Sequence, residues 1–151
     1  MGTLTFTEDI TFSAAHYIPG HPTCGCIHGH TYFVKDLRIE VKEAINSMGI
    51  SVDFGTIKKY FKSRWDHKFI VPLEYYKYWN NILDANQLNC DSNNLVPLEF
   101  TTCEWMAAIM IRDLTSLVMD QIGDMWDDED RIPTITFTLC EGPKQGFDIS
   151  E

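Results

Sequence analysis

The chain has 151 residues, 44% hydrophobic and 23% charged, the composition of one globular domain. That length buries roughly two thirds of the unfolded surface, so folding needs no disulfides. The net charge of −10 excludes nonspecific nucleic-acid binding, which needs a basic surface, and no apolar run approaches the ~20 residues that span a bilayer.

Met1 to Thr5 lacks the basic-then-apolar pattern of a signal peptide, and Phe6 breaks a myristoylation pattern after Gly2. The five cysteines are odd in number and irregularly spaced. These features imply a cytoplasmic protein with free or metal-bound thiols.

From Leu4 to His16 the sequence alternates, with Leu4, Phe6, Ile10, Phe12, Ala14 and His16 on one parity. That pattern predicts a half-buried strand with a histidine at its inner end. A loop marked by Pro19-Gly20 and His21-Pro22 follows. A second strand is predicted from His28 to about Glu43. Its apolar parity switches from Tyr32 and Val34 to Leu37, Ile39 and Val41, which places a bulge near Lys35-Asp36. Asn46 to Gly49 turns the chain.

Asp53 is positioned as a helix N-cap, and Phe54, Ile57 and Phe61 recur at helical spacing up to about Trp65. Residues 68–100 read as a long excursion with one short helix, containing Pro72, Pro97 and the aromatics Tyr75, Tyr76, Tyr78 and Trp79. Thr101 to Glu104 matches a capping box, and Ala107, Met110, Ile111, Leu114 and Val118 continue it as one apolar stripe. The acidic run from Asp124 to Asp130 reads as a solvated turn that ends this helix. A strand from Pro133 to Glu141 and a short one from Phe147 to Ser150 close the chain across a Gly142–Gly146 turn. Strand, strand, helix, helix, strand, strand predicts an α+β domain, with helices on one face of an antiparallel sheet.

His16, His28 and His30 are the candidate metal ligands. His28 and His30 are two apart and share a strand face, and His16 ends a neighbouring strand. Three imidazoles with an open fourth position make a catalytic zinc site. Iron and nickel bind the same donors. Cys24 has two readings. As a fourth ligand, with Cys26 as a further thiol, it closes the site and makes it structural. As a nearby base it works as a thiolate, a form that an adjacent cation favours.

Asp66-His67 is an adjacent acid/base pair that needs a turn to bring its side chains together. Glu141 continues the buried parity of the last long strand. Such a carboxylate is costly without a partner, and it suits the amidine-like edge of a heterocycle or a pairing with Lys144. Cys90, Cys103 and Cys140 show no ligand spacing.

Phe12-Ser13-Ala14-Ala15-His16, Cys24-x-x-x-His28-Gly29-His30, Val52-Asp53-Phe54, Asp66-His67, Thr102-x-Glu104 and Glu141 together resemble the 6-pyruvoyl-tetrahydropterin synthase / 6-carboxy-tetrahydropterin synthase family, from about residue 4 to 149. The resemblance implies the tunnelling fold: a four-stranded antiparallel sheet with two helices on one face (ββααββ), assembling into an oligomeric barrel. That assembly is usually a hexamer with active sites at subunit interfaces. It implies one domain over 1–151, with an excursion at 68–100 longer than is usual in the family. It implies 7,8-dihydroneopterin triphosphate as substrate and Zn2+ on His16, His28 and His30. In this reading Glu141 anchors the pterin, with Thr102 and Glu104 on the substrate side. Cys24 is the proton-abstracting thiolate, and Asp66 with His67 the second proton-transfer unit.

The three-residue gap between Cys24 and His28 resembles the carboxy-forming branch, whose lyases release acetaldehyde and triphosphate on the route to 7-deazaguanine bases such as queuosine. A pyruvoyl-forming enzyme on the same substrate and a non-catalytic zinc-stabilised binding module are the alternatives. Tyr17 stands where many relatives carry Arg. Lys35, Arg38 and Lys144 are the candidate phosphate contacts.

Overall fold

The computed structural model describes residues 2–41, 48–88, 94–122 and 132–150. Cys90, the acidic run at 124–130 and much of the turn at 46–49 lie outside the described residues. Seven strands are described: β1 (Gly2–Thr5), β2 (Ile10–His16), β3 (His28–Val41), β4 (Lys68–Pro72), β5 (Leu95–Leu98), β6 (Thr134–Glu141) and β7 (Gly146–Ser150). Three α-helices accompany them: α1 (Phe54–Arg64), α2 (Tyr76–Ala85) and α3 (Cys103–Ile122). The sheet order is β5-β4-β2-β3-β6-β7, and β1 pairs with the far end of β3.

The expected α+β arrangement holds, with the antiparallel strands β2, β3, β6 and β7 side by side and β7 at one edge of the sheet. The first predicted strand is split in two. Both β1 and β2 lie antiparallel on β3, and the break faces the point where β3 is itself irregular. The β3–β6 register shifts between Lys35 and Arg38, and Asp36 has φ 53°. This is the bulge that the parity switch predicts. It leaves residues 6–9 without a regular ladder opposite, apart from the Phe6 N–H to Leu37 carbonyl bond of 3.0 Å.

The sheet is larger than the four strands expected. The excursion contributes β4 and β5, both parallel, with α2 connecting them. Pro97 is tolerated in β5 because that strand lies at the sheet edge. Helices α1 and α3 bury Ile57, Phe61, Met110, Leu114 and Val118 in the same core as Phe12, Val34, Ile39 and Leu139. Each large aliphatic side chain buried there contributes roughly 1.5–3 kcal/mol. Helix α2 sits on the opposite face. Ile70 joins the main core, whereas its neighbour Phe69 points the other way and meets Trp79 of α2, ring centroids 5.0 Å apart.

Asp53 caps α1 as expected, its Oδ1 accepting from the Gly55 and Thr56 N–H groups at 2.6 and 3.3 Å. The capping of α3 differs from the predicted box. Thr102, not Thr101, is the cap, its Oγ1 accepting from the Trp105 N–H at 3.3 Å. Thr101 is buried and turned toward β2.

Candidate metal centre and surrounding site

Strand pairing assembles the three imidazoles. In the β2–β3 ladder His16 lies directly opposite His28, and Ala14 lies opposite His30. The alternation of both strands puts all three rings on the core face. Their centroids are 4.6 Å apart for His16–His28, 5.2 Å for His16–His30 and 4.9 Å for His28–His30. One nitrogen from each lies within 4.8 Å of the others.

The hydrogen bonding of the rings prepares them as ligands. His16 Nδ1–H donates to the Thr101 carbonyl at 2.7 Å, and His28 Nδ1–H donates to the Cys26 carbonyl at 2.7 Å. Those bonds leave Nε2 of each ring as the lone-pair nitrogen, the usual outer-shell arrangement of metal-binding histidines. His16 Nε2 and His30 Nε2 are buried and have no hydrogen-bond partner among the described residues. Buried polar atoms are rarely left so, and a cation is the partner that such convergent lone pairs fit. Among the described residues Cys24 does not belong to this cluster.

Burial holds His16 below the ordinary imidazole range. The Thr101 carbonyl and Glu141 oppose that shift, and His28 and His30 reinforce it. A neutral ring is the form a metal needs. The folded chain resists a proton that the unfolded chain accepts near pH 6.5. Unfolding is therefore favoured as pH falls below that value. We expect the metal-free protein to lose up to about 1.4 kcal/mol per pH unit from this group below pH 6.5. Urea midpoints measured between pH 7.5 and 5.5 check this, and His16→Leu should flatten the slope.

Glu141 ends β6 beside this cluster. Its Oε1 lies 3.9 Å from His16 Nε2 and accepts a 3.4 Å hydrogen bond from the Tyr32 hydroxyl. Tyr32 is fully buried and stacked on Phe12. Burial, Glu141, Cys103 and Cys24 all push its phenol far above the usual range, so it stays a donor. Glu141 and Glu104 also line a cavity of about 200 Å3 with Cys103, Gln145, Gly146 and Phe147. Burial foremost, then Glu141 and Glu104, push the Cys103 thiol up to about 12. Thr102 lies next to this region, but its hydroxyl is engaged in capping α3. Among the described residues no ion pair joins Lys144 to Glu141; its ionic neighbour is His16.

The loop before β3 presents Cys24. His21 Nδ1 accepts from the Cys24 N–H at 3.0 Å and the Thr23 N–H at 3.3 Å, and the Cys24 carbonyl accepts from the Ile18 N–H at 2.7 Å. Gly25 is required for this turn, because a Cβ there would lie 2.6 Å from the His21 carbonyl oxygen. The Cys24 side chain is half-buried, with Thr23 Oγ1 at 3.8 Å. Cys26 is exposed and contributes its carbonyl to His28.

Asp66 and His67 follow α1 in the turn that the sequence requires, with His67 at φ 57°. His67 Nδ1 meets Asp66 Oδ2 at 3.0 Å, and Asp66 Oδ1 accepts from the Ser13 N–H at 2.9 Å. Burial alone would raise Asp66, but the Ser13 bond and His67 hold it below its usual value. The His67 side chain is 85% exposed, and no hydrogen bond or ring contact among the described residues joins it to the three imidazoles. Sequence reasoning misses Thr101, which acts through a carbonyl that any residue carries. It also misses Tyr32, although Tyr32 continues the i, i+2 series of His28 and His30.

A family model described as 6-pyruvoyl tetrahydropterin synthase matches residues 5–151. A Methanocaldococcus jannaschii protein provisionally named 6-carboxy-5,6,7,8-tetrahydropterin synthase is 32% identical over 121 residues, covering 70% of this chain and 71% of that protein. A Rickettsia bellii protein named 6-carboxy-5,6,7,8-tetrahydropterin synthase is 41% identical over 64 residues, covering 42% of this chain and 45% of its own. The fold is shared with Plasmodium falciparum 6-pyruvoyl tetrahydropterin synthase, at TM-score 0.61 and 18% identity over 100% of this chain and 99% of that one. An uncharacterised protein from Wolinella succinogenes gives TM-score 0.65 at 15% identity, covering 99% and 98%. Among the described residues no helix is long and apolar enough to cross a membrane.

Proposed function

The chain belongs to the 6-pyruvoyl tetrahydropterin synthase family, and on that premise we propose that it is a zinc-dependent carbon–carbon lyase. Its substrate is 7,8-dihydroneopterin triphosphate, and its products are 6-carboxy-5,6,7,8-tetrahydropterin, acetaldehyde and triphosphate. The observation that carries this reading is the set of three imidazoles with two unpartnered buried Nε2 atoms beside Glu141. The relatives named for the carboxy-forming reaction favour that product.

His16, His28 and His30 would hold zinc, which when bound would supply Lewis acidity toward the hydroxyls of the substrate side chain. Glu141 accepts two N–H bonds from the amidine edge of the pterin, held in place by the Tyr32 hydroxyl. Cys24, as thiolate, removes a proton from the side chain. His67, oriented by Asp66, accepts or returns another. Two electrons and two protons move from side chain to ring, which becomes tetrahydro, so no nicotinamide is needed. The terminal carbon loses triphosphate. Water then adds as the bond between the first two side-chain carbons breaks. The first carbon stays on the ring as the carboxylate, and the other two leave as acetaldehyde.

The exposure of His67, which makes no hydrogen bond or ring contact with the imidazoles among the described residues, suits an oligomer with sites at subunit interfaces, in which Asp66-His67 of one subunit serves another. A cytoplasmic location and a place in 7-deazaguanine synthesis follow from the same reading. Incubating the zinc-loaded protein with dihydroneopterin triphosphate tests it. Carboxytetrahydropterin by mass and stoichiometric acetaldehyde are expected. The pyruvoyl reading predicts triphosphate loss without acetaldehyde, because it omits the water-dependent cleavage.

A further inference from the structure

We infer that the 68–100 excursion is part of the metal site, acting through Trp79, Tyr17 and Thr101 as positioning residues that hold the His16 ring. His16 is the last residue of β2, and strand ends fray unless they are tied down. Three consecutive bonds tie this one. Trp79 Nε1–H of α2 donates to the Tyr17 hydroxyl at 2.9 Å. Thr101 Oγ1–H donates to the Tyr17 carbonyl at 2.5 Å. The Thr101 carbonyl accepts His16 Nδ1–H at 2.7 Å.

Tyr17 is thus held at both ends, by the excursion at its phenol and by Thr101 at its backbone. Its ring also packs on Phe69 and Trp79, with centroids 6.2 and 5.9 Å away. Thr101 is 2% exposed and links the excursion directly to α3, so its carbonyl cannot drift without moving the Thr102 cap. The arrangement explains why an aromatic residue follows His16. A Trp79–Tyr17 bond needs a hydroxyl at that position.

The inference rests on the zinc reading above and is tested by zinc affinity, not turnover. Zinc is titrated against a chromogenic chelator in the wild type and in Thr101→Val, Thr101→Ser, Trp79→Phe and Tyr17→Phe, with Tm recorded for each. Thr101→Val keeps the carbonyl that accepts from His16 and removes only the Oγ1–H bond that fixes it, so it should weaken zinc binding roughly 3- to 10-fold, and Thr101→Ser should restore it. Trp79→Phe and Tyr17→Phe should each weaken it roughly 3- to 10-fold, and the double variant no further than either alone. If Thr101→Val does not fold, the Trp79 and Tyr17 variants decide the matter. A fall in Tm with zinc affinity unchanged in those two overturns the inference alone. A wild-type protein that binds no zinc overturns the metal reading with it.

Discussion

Replacing Cys24 with Ala should abolish turnover, by roughly 10³-fold or more, while leaving one zinc per chain and a cooperative unfolding transition. The geometry carries both halves of this expectation. Cys24 is placed by its main chain, through His21 Nδ1 and the Ile18 N–H, so the loop does not depend on the sulfur. The side chain stands outside the cluster of three convergent nitrogens, so its loss removes no ligand from them. It remains close enough to Tyr32 to help keep that buried phenol protonated. Zinc content by elemental analysis, Tm and acetaldehyde release, measured on one preparation, separate the possibilities. A non-catalytic module closed by Cys24 requires the opposite result: zinc lost and the fold destabilised by the same substitution.

The site was legible in the sequence to the degree that it depends on strand parity. His28, His30 and Tyr32 alternate on β3, and His16 shares the parity of Phe12 and Ala14, so one face was implied before any register was known. The parity switch at Lys35-Asp36 located the bulge, and the stripe on α3 located the core face of that helix. Other features leave no such trace. Lys68 to Pro72 and Leu95 to Leu98 are short segments of five and four residues around a few apolar side chains, too short to separate strand from buried helix, and each contains a proline. Thr101 satisfies a capping-box spacing, so local pattern assigned it to the helix. Its actual partners, Tyr17 and His16, are 84 and 85 residues away. Outer-shell contacts made by carbonyls are invisible to residue type, because every residue has one.

Glu141→Gln should raise KM sharply and lower kcat/KM by roughly 10²-fold, with zinc affinity changed little. A carboxylate can accept both N–H bonds of an amidine edge, whereas an amide replaces one acceptor with an N–H that opposes the substrate's own donor. Each charge-assisted bond of this kind is worth roughly 1.5–3 kcal/mol, which is 10-fold or more in binding. Tyr32→Phe is the companion change. It removes the 3.4 Å hydroxyl bond to Glu141 Oε1 but keeps the stacking on Phe12. Its effect should be smaller, of roughly 5- to 10-fold, and it should vanish in the Glu141→Gln background if the hydroxyl acts only by aiming the carboxylate. Steady-state kinetics on the four proteins of this cycle measure the coupling. Independent effects of the two substitutions would show that Tyr32 does not work through Glu141. An unchanged KM in Glu141→Gln would remove Glu141 from pterin binding. It would then leave this carboxylate, 3.9 Å from His16 Nε2, as a partner of the imidazole cluster alone.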